Sequence, residues 1–419
     1  MPGRHAQGLA YRRPMPLAVA IAFGGSLLGL STNALALADG KVTVFADESV
    51  SYTDNVFQLP SSLSPPVVNG SNPRSDWYYT TTLGITFDYP VSRQKFQGGY
   101  TWNDSHYNHY SSLDFTGHDG RIVWLWQVGN DASGHIGYSD TSAPSSFASV
   151  QARSTSILST KQAFVDGQYE ITPSWRIKAG YLDFRQSNSG ELNQVDNINI
   201  NNVDGAFTYV SRANNTVGLV AQYERGDYPN RNFASGNPLA SQLPPSYNQY
   251  IVGGVFDWTV SGHSQLKGRA EYANRSNDQV SSQDFSGFVG RLEWDWKPTG
   301  KSEVLTVARR EINPYQNTRT TFMLVKGITV TPTLRIDEKV EVSGVFDYSE
   351  RDYLSSGQLA CGIVLAPSDR IGSASLTLLY RPARWLSLTL TGQHQKCTSD
   401  TDLGNYTVNI GTLGVRISF

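Results

Sequence analysis

The chain has 419 residues with 34 Lys+Arg against 36 Asp+Glu, a formal net charge of −2 that argues against nucleic-acid binding, which draws on a basic excess. Mean hydropathy is −0.35, and past the N-terminal region no run approaches the roughly twenty apolar residues of a membrane-spanning helix, so a helical membrane protein is excluded. Abundant glycine (38), tyrosine (22) and tryptophan (9) beside three methionines suit a thin lipid-facing band with aromatic girdles, although a secreted soluble β-sandwich or propeller would share that composition.

The chain opens with Arg4, Arg12 and Arg13 ahead of an apolar run, Pro16–Leu30, and Ala36-Leu37-Ala38 then supplies a small-x-small cleavage site. Residues 1–38 are expected to be a cleaved signal peptide, with the mature chain starting at Asp39 or, as the near alternative, Leu37. Removing three arginines and no acids moves the net charge from −2 to −5.

From there to the end, apolar and polar residues alternate, the period of strands with two unlike faces. In Asp76–Pro90, Tyr79, Leu83, Ile85, Phe87 and Tyr89 share one face; Thr80, Thr82, Thr86 and Asp88 share the other. In Gln265–Asn277, Leu266, Gly268, Ala270 and Tyr272 oppose Lys267, Arg269, Glu271 and Arg275. In Thr333–Tyr348, Val340, Val342, Phe346 and Tyr348 oppose Arg335, Asp337, Lys339, Glu341 and Asp347. These strands run 12–16 residues. Soluble sheets average about five or six, whereas a tilted membrane strand needs about 9–11, so length favours a barrel in lipid.

Tight turns are expected at Pro90-Val91-Ser92, Gly129-Asn130-Asp131, Pro173-Ser174, Ser211–Asn214, Ser261-Gly262-His263, Pro298-Thr299-Gly300, Pro332-Thr333 and Pro382-Ala383. Between them lie longer polar stretches: Gln58–Ser75, Thr141–Ser156, Ser187–Asp196, Pro229–Pro245 and Leu354–Ser368. Short turns on one side and long loops on the other is the outer-membrane barrel pattern, turns periplasmic and loops outside. Eight turns pair sixteen strands, and Lys41–Asp54 and Asn405–Phe419 bring the count to eighteen. Sixteen is the alternative, because Ser112–Val128 and Ala132–Asp140 are the least regular segments. The expected fold is therefore all-β, a transmembrane antiparallel up-and-down β-barrel spanning 39–419. Its last strand places Leu413, Val415, Ile417 and Phe419 on one face, the terminal aromatic pattern read by the barrel-assembly machinery.

Near the mature start stands Tyr52-Thr53-Asp54-Asn55-Val56-Phe57. With Thr80-Thr81-Thr82-Leu83-Gly84, the segment from Tyr107 to Leu113-Asp114-Phe115, and Trp124-Leu125-Trp126, it resembles an EpsL-like, exopolysaccharide-associated family of porin-like outer-membrane barrels. The resemblance implies an export route for a secreted polysaccharide, with periplasmic and inner-membrane exopolysaccharide synthesis proteins as partners beside the outer-membrane lipids. It carries no set of transport residues.

The polar phase holds the chemistry. Arg176, Lys178, Lys267, Arg269, Glu271 and Arg291 fall on it, followed by Glu293, Asp295, Arg335, Asp337, Lys339 and Glu341. Both signs on neighbouring strands fit two compatible roles, cross-strand ion pairs that brace the wall and charged ladders that set the selectivity of a hydrated pore. Trp102, Trp124, Trp126, Trp175, Trp258, Trp294 and Trp296 read as girdle residues, with sugar stacking the rival. Cys361 and Cys397 both fall on the external side, where a disulfide between neighbouring loops is expected and two unpaired thiols are the alternative.

His106-x-x-His109 sits where a strand meets a loop, and Ser92-x-x-Lys95 occupies a turn, so neither marks a metal or catalytic site. No G-x-S-x-G, phosphate-loop or dinucleotide pattern occurs, and no cofactor is expected. The expectation is a non-enzymatic channel exporting an extracellular polysaccharide. The alternative is a general or sugar-uptake porin, and a third reading is a lipid- or glycan-modifying barrel enzyme.

Overall fold

A computed structural model describes residues 42–145, 156–231, 243–317, 320–353, 368–400 and 404–419. The expected signal peptide and Cys361 lie outside the described residues.

The first strand, β1 (Val42–Thr53), is followed by eight tight hairpins. These are β2 (Asp76–Val91) with β3 (Gln94–Tyr107), β4 (Phe115–Val128) with β5 (Ala132–Pro144), β6 (Ile157–Thr172) with β7 (Trp175–Asn188), and β8 (Ile198–Val210) with β9 (Thr216–Asp227). Then come β10 (Ser246–Ser261) with β11 (Ser264–Asn277), β12 (Phe285–Trp296) with β13 (Ser302–Asn317), β14 (Thr320–Arg335) with β15 (Val340–Tyr353), and β16 (Ser368–Ala383) with β17 (Leu386–Ser399). The last strand is β18 (Tyr406–Ser418). Among the described residues every strand pairs antiparallel with its sequence neighbours, and β1 pairs with β18, so the eighteen strands close into a barrel without an edge. The irregular segments β4 and β5 form full strands, and eighteen is the observed count.

Closure is sealed by backbone. Phe419 N–H donates to the Val44 carbonyl at 2.8 Å, and Val44 N–H returns a bond to the Phe419 carbonyl at 3.1 Å. On the lumen side of the same seam, Ser51 Oγ and Thr412 Oγ1 lie 2.9 Å apart, and Arg416 pairs with Asp47 at 3.3 Å. Beside it the Phe45 ring lies over Gly84, where any Cβ would overlap the ring.

Alternation becomes facing. Tyr79, Leu83, Ile85 and Tyr89 of β2, and Leu376, Leu378 and Tyr380 of β16, are exposed on the outside, which in a barrel is the lipid face. The outward aromatics stack near the ends of strands: Phe96 with Trp124, Trp175 with Phe207, and Trp294 with Trp296. This arrangement is an interfacial girdle.

Two expected turns are displaced. Pro332 and Pro382 stand inside β14 and β16, and the chain reverses instead at Ile336–Lys339 and Arg384-Trp385. The ladder between β14 and β15 passes from Val330 to Thr333, and that between β16 and β17 is irregular from Tyr380 to Ala383. Each proline therefore occupies a gap where its missing N–H costs no pair.

The segments that carry the family resemblance hold the outer rim together. Asn55 donates from Nδ2 to the carbonyls of Leu59 and Thr407, both at 2.9 Å, tying the first loop to β18. Val56 and Phe57 pack with Tyr107, Tyr110 and Leu113 in one buried cluster, so two motifs far apart in sequence meet. The Asp76 carboxylate accepts from the amides of His109 and Tyr110, closing the same corner.

Candidate functional site

Strand register builds one lumen wall from charge. Arg269 of β11 stands opposite Arg291 of β12, which stands opposite Arg309 of β13. Three like charges in one row are repulsive unless acids intervene. They do: Glu311 lies 2.8 Å from Arg269 and 3.8 Å from Arg291, Glu293 lies 2.6 Å from Arg291, and Glu271 lies 3.7 Å from Arg269. Arg309 is taken by Asp347 of β15 at 2.6 Å, with the Thr329 hydroxyl also donating to that carboxylate at 2.6 Å. Only 3% of the Arg309 side chain and 9% of Asp347 remain exposed, so this part of the wall is braced and dry. Breaking one member of such a pair costs about 3–5 kcal/mol.

Towards the periplasmic turns the same wall opens. Lys267 reaches Asp257 at 3.6 Å, and Arg335 lies 3.4 Å from Glu341 and 3.8 Å from Glu303. Here 43% of Lys267, 40% of Arg335 and 36% of Glu293 stay exposed, on the inward face of a closed barrel. On β7, Arg176 pairs with Glu170 at 2.9 Å, and Lys178 stands two residues along on the same face. Asp295 is bonded to Lys297 at 2.9 Å.

Asp337 and Lys339 do not line the lumen, a correction to the sequence reading. The strand ends at Arg335, and both lie exposed in the reversal before Val340. The Asp337 carboxylate accepts the amides of Lys339 and Val340, each at 2.8 Å, and these donors hold it below the usual carboxylate range. Arg309, Glu311 and Glu303 are missing from the sequence reading because it counts a strand after the Pro298-Thr299-Gly300 turn but assigns no inward phase to it. The signal was present in Arg309-x-Glu311-x-Asn313, which alternates with Ala308, Arg310 and Ile312.

The outer mouth is narrowed from inside. A 3-10 turn, Glu191–Asp196, connects β7 to β8 and reaches β13, six strands further round the wall. It is held by Arg231 from the following loop. Arg231 donates to Val195 O at 3.1 Å and Pro244 O at 2.9 Å, stacks 3.4 Å over the Tyr228 ring, and meets Asp196 at 3.5 Å. Asn230 adds a bond to Gln194 O at 2.8 Å. The Arg231 side chain has no exposed surface; burial pushes its pKa down and pushes the Asp196 carboxyl up to about 7, against the opposing pull of the pair. Beneath the latch, Phe184, Ile198, Ile200, Tyr228 and Tyr247 form a buried cluster, and Arg275 lies 3.3 Å over the Tyr247 ring. Neither half of this latch was read from sequence.

The remaining expected sites resolve as follows. Cys397 is buried on the inner face with Ile371, Tyr406 and Val408, while its expected partner lies outside the described residues. His106 sits 2.9 Å from Asp104 and 3.2 Å from Asp114, and among the described residues no group of His, Cys, Asp and Glu is placed to hold a metal ion. Leu413, Val415 and Phe419 face outward at the base of the seam.

Residues 251–419 match the family model described as putative beta-barrel porin 2. No curated protein matches in sequence. Among solved structures, OpdQ of Pseudomonas aeruginosa is 10% identical over 90% of this chain and 97% of its own, with a TM-score of 0.45. OccK3 (OpdO) of the same organism is 11% identical over 91% and 96%, at 0.47. OccAB3 of Acinetobacter baumannii is 8% identical over 90% and 98%, at 0.44. With a closed barrel, an outer apolar band, aromatic girdles and a porin family model over its C-terminal part, the chain is a porin-like β-barrel of the bacterial outer membrane.

Proposed function

We propose that the barrel is a passive channel for small hydrophilic solutes, the uptake-porin reading. One observation carries it: the inward charges of the periplasmic half stay exposed, while an inward-folded turn latched by Arg231 narrows the outer mouth. An eighteen-stranded wall is wide enough for an aqueous lumen, and a constriction within it selects by size and charge. In a planar bilayer the purified barrel should give stable ohmic steps, and absence of conductance from correctly folded protein would end this reading.

Polysaccharide export is the second reading and rests on the sequence resemblance. The residues that carry it, Asn55, Phe57, Tyr107 and Asp114, are occupied in rim packing and backbone bonds. They support a shared barrel architecture and name no glycan contact. Deleting the gene separates the two readings: loss of surface polysaccharide favours export, and slowed uptake of a small solute with polysaccharide intact favours the channel.

A further inference from the structure

We propose that the outer flank of β13–β17 docks a phosphate-bearing lipid of the outer leaflet. Register aligns Arg310, Lys326, Glu350 and Arg370 in one row on four consecutive strands, and Lys396 stands opposite Gly372 on β17. All of these lie on the outward phase, as their strand-mates Ile328, Tyr348, Leu376 and Leu390 show by their exposure to the lipid side. Those apolar residues lie nearer the periplasmic ends of the same strands, so the row sits directly above the band that meets acyl chains. Neighbouring strands are about 4.8 Å apart, which spaces the cations to grip one headgroup carrying more than one phosphate. Long basic stems resting on apolar wall and ending in charge suit that depth.

Two acids lie in the patch. Asp352 meets Lys326 at 2.8 Å and Glu350 meets Arg370 at 3.6 Å, leaving four bases against two acids. Both pairs are well exposed, with 66% of Arg370 open, so a phosphate exchanges in at little cost. Lys396 is exposed, and no protein partner meets it among the described residues. The next flank round the wall, beyond β18, is built differently. At the corresponding outer ends of β1–β5 the outward positions hold Glu48, Asp104 and Asp140, with no lysine or arginine. On β6, β7 and β9 the outward Lys161, Arg185 and Arg225 are matched one for one by Asp140, Asp183 and Asp227, so the excess of base lies on β13–β17, and it holds whether or not the lumen conducts.

The test uses purified full-length barrel in detergent, titrated with lipid A and followed by native mass spectrometry. The expected result is a saturable lipid A adduct, weakened about fivefold for each charge removed in K326Q, R370Q and K396Q. A D104N/D140N variant should bind as the parent does. These positions are exposed, so heat-modifiable migration on gels should stay normal and exclude misfolding as the cause. Equal binding by parent and triple variant would overturn the proposal. Displacement of the adduct by inorganic phosphate at concentrations matching the lipid would also overturn it, because the site would then be one for free phosphate.

Discussion

At the residue scale the decisive group is Arg231, a guanidinium with no exposed surface whose donors reach a carboxylate and two carbonyls. Replacing it by alanine strands Asp196 in a buried site, a loss of about 3–5 kcal/mol to the latch. The outer constriction should then loosen, and single-channel conductance of R231A should rise above that of the parent. The double variant R231M/D196N removes both charges together and should recover much of the lost order, since a buried pair replaced as a unit is often neutral. Gly226 offers a second handle, because any Cβ there would overlap the Tyr247 ring that floors the latch. G226V should displace Tyr247 and alter conductance in the same direction as R231A. Unchanged conductance in both would mean that the loop does not govern the pore.

At the scale of the strand, facing is the property to test. Leu390 of β17 points to lipid within the apolar band, and Thr389 beside it lies opposite Leu379 on the lumen phase. Arginine at Leu390 should cost about 2–4 kcal/mol of barrel stability in urea titrations from lipid vesicles. Arginine at Thr389 should cost much less, because it enters a polar lumen. Equal losses would invert the facing, and with it every inward residue named above. The two displaced turns belong to this scale as well. Pro332 and Pro382, expected at the turns themselves, instead lie within their strands, before Arg335 and Ala383 respectively. A missing donor needs only a local gap in the ladder, and the structure provides the gap without reversing the chain.

For the whole molecule, closure and conduction are linked through the terminal strand. Phe419 is exposed to lipid and bonds by its backbone to Val44, so the residue expected to end the assembly signal is also part of the seam. Deleting it should sharply reduce heat-modifiable barrel in the outer membrane, and normal levels would separate the terminal residue from assembly. Once closed, the lumen presents its exposed charges to the solute. Neutralising Lys267 and Arg335 should raise cation preference, measured as a shift in reversal potential under a salt gradient, because fixed positive charge in a confined pore repels cations. Arg269 and Arg291 are poorer choices for that test. Their loss would leave Glu311 unpaired and confound selectivity with stability.

Sequence by itself determined the architecture: strand facing, the short turns and long loops, and the terminal pattern at Leu413, Val415, Ile417 and Phe419, while the choice of eighteen strands over sixteen waited on β4 and β5. These properties are local, since a side-chain period of two is written along one strand and needs no knowledge of its neighbours. Tertiary structure alone decided which charges meet. Arg269, Arg291 and Arg309 face each other only through the register of three strands, and Asp196 finds Arg231 only because two loops fold into the same mouth. Asn55 reaches Thr407 only when the barrel closes, bringing the first and last strands side by side. Contacts of that kind depend on pairings between distant segments, which no local periodicity records.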